Sequence, residues 1–210
     1  MPTTITRIQK TRLGRFSLYG EAGFLFSLDS ETYFSCGVEE GDTLTDNDLA
    51  ALREKSDARK AKDKALQYLS LRLYGERELY DKLCLKFDGP TSAAAVAEMV
   101  RLELLDDARF AAQKAAWLKT RHKSRREAQR QLAEKGVDRN RIDEALDEVY
   151  GDGDEREEID RLIRRSYAAK LENGKRDAVY AALCRRGFAP RTVREALNDW
   201  ADAQQEGWDE

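Results

Sequence analysis

Three times after residue 58 the sequence returns to one pattern, and a tandem repeat of this length restricts the available folds more than any single motif. An aromatic residue recurs at Tyr68, Trp117 and Tyr167, a leucine at Leu83, Leu132 and Leu183, and a closing apolar residue at Phe87, Val137 and Phe188. The end of the unit is nearly duplicated: Ile142, Ala145, Leu146 and Val149 match Val193, Ala196, Leu197 and Trp200. A period of roughly 50 residues marks stacked helical units, each covering an apolar stripe that its neighbour could not bury alone. Such a chain offers a long surface rather than a deep pocket, which favours binding over catalysis.

Each unit reads as three helices. In the second, Asp106-Asp107 opens a helix through Phe110, Ala111, Trp117 and Leu118, and Ser124 with Glu127 has the spacing of a capping box at the start of the next. Ala128 and Leu132 lie four apart, as do Leu79 and Leu83, or Val179 and Leu183, so each pair shares a buried helix face. Gly136 and Gly187 follow basic helix ends and suit the left-handed position just past a helix. Asp138 is placed to cap the third helix, and Pro190 suits a first helical position. The first unit carries Asp88-Gly89-Pro90-Thr91-Ser92 as an insertion before its last helix. Short acidic joints, Asp106-Asp107 and Gly151-Asp152-Gly153-Asp154-Glu155, would allow modest bending between units.

The first 45 residues differ. Phe16, Leu18, Phe24, Phe26 and Leu28 alternate with polar or small residues, the period of half-buried strands, around a turn at Gly20-Glu21-Ala22-Gly23. Thr32-Tyr33-Phe34-Ser35 reads as a further short strand, and Thr45-Asp46-Asn47-Asp48 offers caps for a helix. The expected architecture is mainly α: tandem three-helix repeats in an elongated array, with a small N-terminal segment containing a β-hairpin. The expected divisions are residues 1–50 strand-rich, 51–64 a charged connecting helix, 65–105, 106–154 and 155–202 the three repeats, and 203–210 a polar tail.

Composition narrows function mainly by exclusion. Charged residues are 37% of the chain, yet the net charge is only -3, so any electrostatic partner must be attracted by local clustering. No stretch approaches the ~18 apolar residues of a membrane span, and Met1-Pro2-Thr3-Thr4-Ile5-Thr6-Arg7 lacks a signal-peptide core, so a cytoplasmic location is expected. Three cysteines do not form a disulfide framework. The single histidine, His122, has no partners at metal or triad spacing, and no phosphate-binding glycine loop occurs. The expectation is a non-enzymatic protein without cofactor or metal.

Basic clusters carry the functional signal. Lys119, Arg121, Lys123, Arg125, Arg126 and Arg130 crowd a helix end, a turn and the next helix start in repeat 2. Repeat 3 has Arg161, Arg164, Arg165 and Lys170 before its equivalent turn, then Lys175 and Arg176 after it. Cations at a helix start oppose its macrodipole, so their recurrence is not explained by stability. Aligned by stacking, they would attract a phosphate backbone or an acidic protein groove.

Further residues carry a family resemblance. Ala65-Leu66-x-Tyr68-Leu69-Ser70-x-Arg72, Glu78-Leu79-x-x-x-Leu83, Leu104-Leu105-Asp106-Asp107-x-Arg109-Phe110-Ala111, Leu132-x-x-Lys135-Gly136-Val137 and Leu183-x-Arg185-Arg186-Gly187-Phe188, in this order, resemble the RecX regulatory proteins of bacteria. The sequence departs from that pattern at Lys123-Ser124, where a glycine is usual in the turn, and at Tyr74-Gly75-Glu76, where a serine cap is usual. The resemblance implies a monomeric modulator lying in the groove of the RecA filament on single-stranded DNA, inhibiting ATP hydrolysis, strand exchange and coprotease action. The alternative is a helical-repeat nucleic-acid-binding protein with no recombinase partner.

Overall fold

The structure, a computed structural model, describes residues 2–151, 153 and 155–206. Asp152 and Asp154 of the expected acidic joint, and residues 207–210 of the expected polar tail, lie outside the described residues. The chain divides into two compact units, residues 1–106 and 107–210.

The first unit begins with β1 (Thr3–Lys10), β2 (Phe16–Gly20) and β3 (Gly23–Leu28), followed by α1 (Ser30–Cys36) and the short β4 (Thr43–Leu44). The strands form one antiparallel sheet in the order β3-β2-β1-β4. The hairpin at Gly20–Gly23 is as the alternation requires, and Leu18, Phe26 and Leu28 bury one face against Leu49 and Leu52. The expected strand at Thr32–Ser35 is instead part of α1. The Asp29 carboxylate accepts the Thr32 amide at 3.0 Å, and Gly37 closes the helix at φ 63°, so cap and stop override the β-prone residues between them. β1 was not legible, because a register shift between Ile5 and Arg7 breaks its period of two.

α2 runs unbroken from Asp46 to Leu69, with Thr45 and Asp48 forming a reciprocal capping box. It packs with α3 (Glu76–Cys84) and α4 (Gly89–Arg101) around Ala61, Ala65, Leu79, Leu83, Ala95 and Met99. The alanines let α2 and α4 approach closely, while each buried leucine contributes about 1.5–3 kcal/mol. The expected insertion at residues 88–92, placed before the last helix of repeat 1, is instead the start of that helix. Asp88 accepts the Thr91 amide at 2.8 Å, and Gly89-Pro90 forms the first turn of α4, where proline's missing N–H costs nothing.

The second unit holds α5 (Asp107–Thr120), α6 (Arg125–Glu134) and α7 (Arg139–Tyr150), then α8 (Glu155–Leu162), a π-helical turn (Ile163–Tyr167), α9 (Ala168–Glu172), α10 (Arg176–Arg185) and α11 (Pro190–Glu206). The leucine stripe is buried as its spacing demands: Ala128, Leu132, Val179 and Leu183 have no exposed surface. Asp138 caps α7 and Pro190 opens α11. Gly136, at φ 78°, donates to the Ala133 carbonyl while Val137 reaches the Leu132 carbonyl, the paired bonds of a Schellman ending. Gly187 and Phe188 repeat it on Cys184 and Leu183.

The recurring aromatic does not hold one environment. Tyr167 is buried, but Trp117 is 45% exposed and its neighbour Leu118 takes the core position. Helical rotation of about 100° per residue makes a one-position offset in the pattern decisive.

Candidate cationic interface

The turn between α5 and α6 is built by backbone bonds. Lys123 donates to the Leu118 carbonyl at 3.0 Å and His122 to the Lys119 carbonyl at 2.8 Å. His122 therefore occupies the left-handed position, at φ 53°, where repeat 3 has Gly174 at φ 68°. Ser124 accepts the Glu127 amide at 3.2 Å, which starts α6. The capping box stops there. The Ser124 amide donates across to the Arg186 carbonyl at 2.9 Å, and the Glu127 carboxylate turns to Arg130 and Gln131, each at 2.8 Å. The Arg130 and Gln131 hydrogen bonds hold the Glu127 carboxyl down to about 2, against the opposing effect of burial.

Direct bonds join repeats 2 and 3 across the second joint, where the glycines suggested freedom to bend. The Lys123 ammonium donates to the Arg185 carbonyl at 3.0 Å, and Gly187 packs so closely on Ser124 and Glu127 that a Cβ there would lie 2.4 Å from the Glu127 Cβ. His122 Nδ1 stands 3.4 Å from Glu158 across the joint, and within repeat 3 the Ala189 amide donates to Glu155 at 3.0 Å. The Tyr150 hydroxyl donates to the Lys123 carbonyl at 3.1 Å; burial, helped by Glu158, pushes its pKa up to about 12 and keeps it a neutral donor.

This junction shapes a groove of about 500 Å³ that brings Lys119, Lys123, Arg125 and Arg126 together with Arg161. Tyr150, Phe188, Gln129 and the carboxylates Glu155, Glu157 and Glu158 complete its walls. Arg161 and Glu157 also belong to a shallower groove, of about 360 Å³, with Asp160, Arg164 and Arg165. The remaining sequence candidates, Arg121, Arg130, Lys170, Lys175 and Arg176, line neither.

The cations are not equally available. Arg125 pairs with Asp147 at 2.6 Å and Arg161 with Glu158 at 2.6 Å. Arg130 is held by both Glu127 and Glu134, which raise its pKa further. Lys119 donates to the Val149 carbonyl, and Arg176 to Asn198 and to the Leu197 carbonyl. Lys170 lies 5.6 Å from the Tyr167 ring centre, and Lys175 stands at the head of α10. Arg126, Arg164 and Arg165 are exposed, and among the described residues none of them has a carboxylate at ion-pair distance.

Trp117, the recurring aromatic of repeat 2, adds a residue that was not among the sequence candidates. Its ring lies 4.2 Å from the Lys114 ammonium and 4.6 Å from the Arg121 guanidinium. The i−3 and i+4 spacing of these cations around a tryptophan was the available signal. Among the described residues, no cluster of three His, Cys, Asp or Glu side chains could hold a metal ion, and no helix is long and apolar enough to cross a membrane.

Three-helix repeats, with a basic groove where repeats 2 and 3 meet, define a helical-repeat protein. Two family models match in order: the first three-helix domain of RecX over residues 61–99 and the second over residues 106–146. These matches and the relatives below support a RecX-family protein. It is 26% identical over 196 residues to Regulatory protein RecX of Caldanaerobacter subterraneus subsp. tengcongensis, covering 92% of this chain and 98% of that protein. It is also 26% identical to Regulatory protein RecX of Bacillus subtilis over 204 residues, 92% of this chain and 76% of the relative. A crystal structure of regulatory protein RecX superposes with a TM-score of 0.62 at 22% identity, covering 94% of this chain and 99% of that one. RecX from Lactobacillus salivarius gives a TM-score of 0.52 at 22% identity, over 68% and 96%. These two structures share the fold.

Proposed function

We propose that this protein regulates RecA filaments on single-stranded DNA, inhibiting or modulating ATP hydrolysis, strand exchange and coprotease action by occupying the filament groove. The observation that carries the reading is the groove that gathers Lys119, Lys123, Arg125, Arg126 and Arg161 from two successive repeats of a RecX-family chain. Lys119, Lys123, Arg125 and Arg161 are already held by hydrogen bonds or ion pairs, so gathering them on an anionic surface costs less side-chain entropy than the same charges on a mobile loop. Arg126, Arg164 and Arg165, which have no carboxylate partner among the described residues, are the strongest contributors in this reading, because binding through them breaks no ion pair seen there. Arg125, Arg130 and Arg161 would first have to leave their carboxylates.

The test is the single-stranded-DNA-dependent ATPase of the cognate RecA with increasing amounts of this protein. Turnover and filament lifetime should both change. If saturating protein alters neither, the reading fails.

A further inference from the structure

The N-terminal sheet carries a row of side chains that packing does not account for. Arg7 pairs with Tyr19 across β1 and β2, and Tyr19 with Phe24 across β2 and β3, so the three stand side by side on adjacent strands. The Arg7 guanidinium lies 4.1 Å from the Tyr19 ring centre, and the Phe24 ring meets Tyr19 edge-on at 5.7 Å. On the same face, the Ser17 and Ser27 hydroxyls are 2.9 Å apart, and Ser56 of α2 donates to the Ser27 carbonyl at 3.1 Å. α2 packs on the other face, with Leu49 and Leu52 against Leu18, Phe26 and Leu28, and does not cover Phe24. Phe24 is 60% exposed, a cost that a sheet residue could avoid with threonine or valine. Register shifts flank Tyr19 on both sides, between Ile5 and Arg7 and between Leu18 and Tyr19, and such bulges re-aim side chains.

Charge indicates the occupant. The first 20 residues contain Arg7, Lys10, Arg12 and Arg15 and no Asp or Glu, within a chain of net charge -3. Arg15 is engaged with Ser27 and Ser56, whereas Arg7, Lys10 and Arg12 are exposed. The neighbouring acids include Glu40, which accepts the Ile8 amide at 2.6 Å, Asp42, whose carbonyl accepts the Ile5 amide at 2.8 Å and whose carboxylate accepts the Glu39 amide, and Glu21 in the turn before Phe24. The open Phe24 ring, next to the half-buried Tyr19 ring and the Arg7 guanidinium above it, offers a flat base a face and its phosphate a nearby cation, whereas Lys10 pairs with Phe16 on the other face of the sheet. Ring stacking there is tolerant of sequence, because every base has a π-face.

We propose that the Arg7–Tyr19–Phe24 row is a stacking platform for single-stranded nucleic acid, separate from the basic groove of repeats 2 and 3. The full-length protein is titrated into a fluorescein-labelled oligothymidylate and followed by anisotropy. Phe24→Ala, an exposed change, should weaken binding about tenfold, the scale of one lost base stack, and Phe24→Trp should restore it. The tryptophan of Phe24→Trp should also show emission quenching by the oligonucleotide beyond that of the unmodified protein. Circular dichroism melts check that both variants fold. The triple variant Arg126→Ala, Arg164→Ala, Arg165→Ala should retain a Phe24-dependent component of binding. Unchanged binding in Phe24→Ala, no added quenching in Phe24→Trp, or no binding of the oligonucleotide by the unmodified protein overturns the platform. A Phe24→Ala defect that appears with RecA alone and not with the oligonucleotide overturns it too, by pointing to a protein surface. None of these outcomes alters the ATPase test above, which requires only the filament.

Discussion

The backbone amide of Ser124 donates to the backbone carbonyl of Arg186 at 2.9 Å, joining the start of α6 in repeat 2 to the end of α10 in repeat 3. One residue beyond, Gly187 lies against Ser124 and Glu127 with no room for a side chain. The basic groove sits at this junction, so its geometry depends on a contact between two chain segments whose sequences mark helix ends but not each other.

Gly187→Ala should therefore be strongly destabilising. It adds a left-handed strain at φ 94° to a clash with the Ser124 hydroxyl and the Glu127 Cβ, together about 2–4 kcal/mol. Gly174→Ala, at φ 68° with open space around it, should cost only the strain of about 1 kcal/mol. Urea unfolding of the two variants separates clash from strain, and equal losses would show that the close approach is not there.

His122→Gly should stabilise the chain. Glycine removes the cost of a left-handed β-carbon at φ 53°, and its own flexibility and the lost Glu158 contact offset part of the gain, leaving about 0.5 kcal/mol. Thermal melts give the sign directly.

The Glu127 carboxyl is held down to about 2 by Arg130 and Gln131, from an ordinary value of 4.5. A folded-state value below the unfolded one gives stability that is complete above the unfolded value and is lost as pH falls toward the folded one. Stability should thus decline between about pH 4.5 and about pH 2, and Glu127→Gln should flatten part of that decline. Denaturant unfolding across this window measures it. Glu98, lowered to about 2 by Arg101 and, less strongly, by Lys62, loses its stabilisation in the same interval.

Replacing Arg126, Arg164 and Arg165 by alanine should abolish most of the effect on RecA turnover while moving each site's stability by no more than about 0.5 kcal/mol. Replacing Arg130 alone should matter less for binding, since its charge is already matched by Glu127 and Glu134. An Arg130→Ala defect larger than that of the triple variant would reverse this ranking.

Much of the fold was legible because its signals are local. Leu79, Leu83, Ala128, Leu132, Val179 and Leu183 announce their helix faces by spacing alone, and Gly136, Asp138, Gly187 and Pro190 mark helix ends through backbone geometry. Where two local signals competed, the reading failed. Thr32-Tyr33-Phe34-Ser35 has strand-like residues, but Asp29 and Gly37 enclose it as a helix. Glu127 has capping-box spacing, yet Arg130 and Gln131 take its carboxylate and Arg186 takes the amide it would have accepted.

The same division applies to the candidate interface. Sequence alone determined that the chain is a tandem of three-helix units and that its basic residues recur at matched places, since periodicity and charge are properties of the order of residues. Only the tertiary structure decided which cations share a groove, which are already neutralised, and that Trp117 and Phe24 face outward. Those outcomes rest on ion pairs and close approaches between residues such as Arg125 and Asp147, or Gly187 and Glu127, that are far apart along the chain. Spacing within one helix carries no information about which partner the next helix brings.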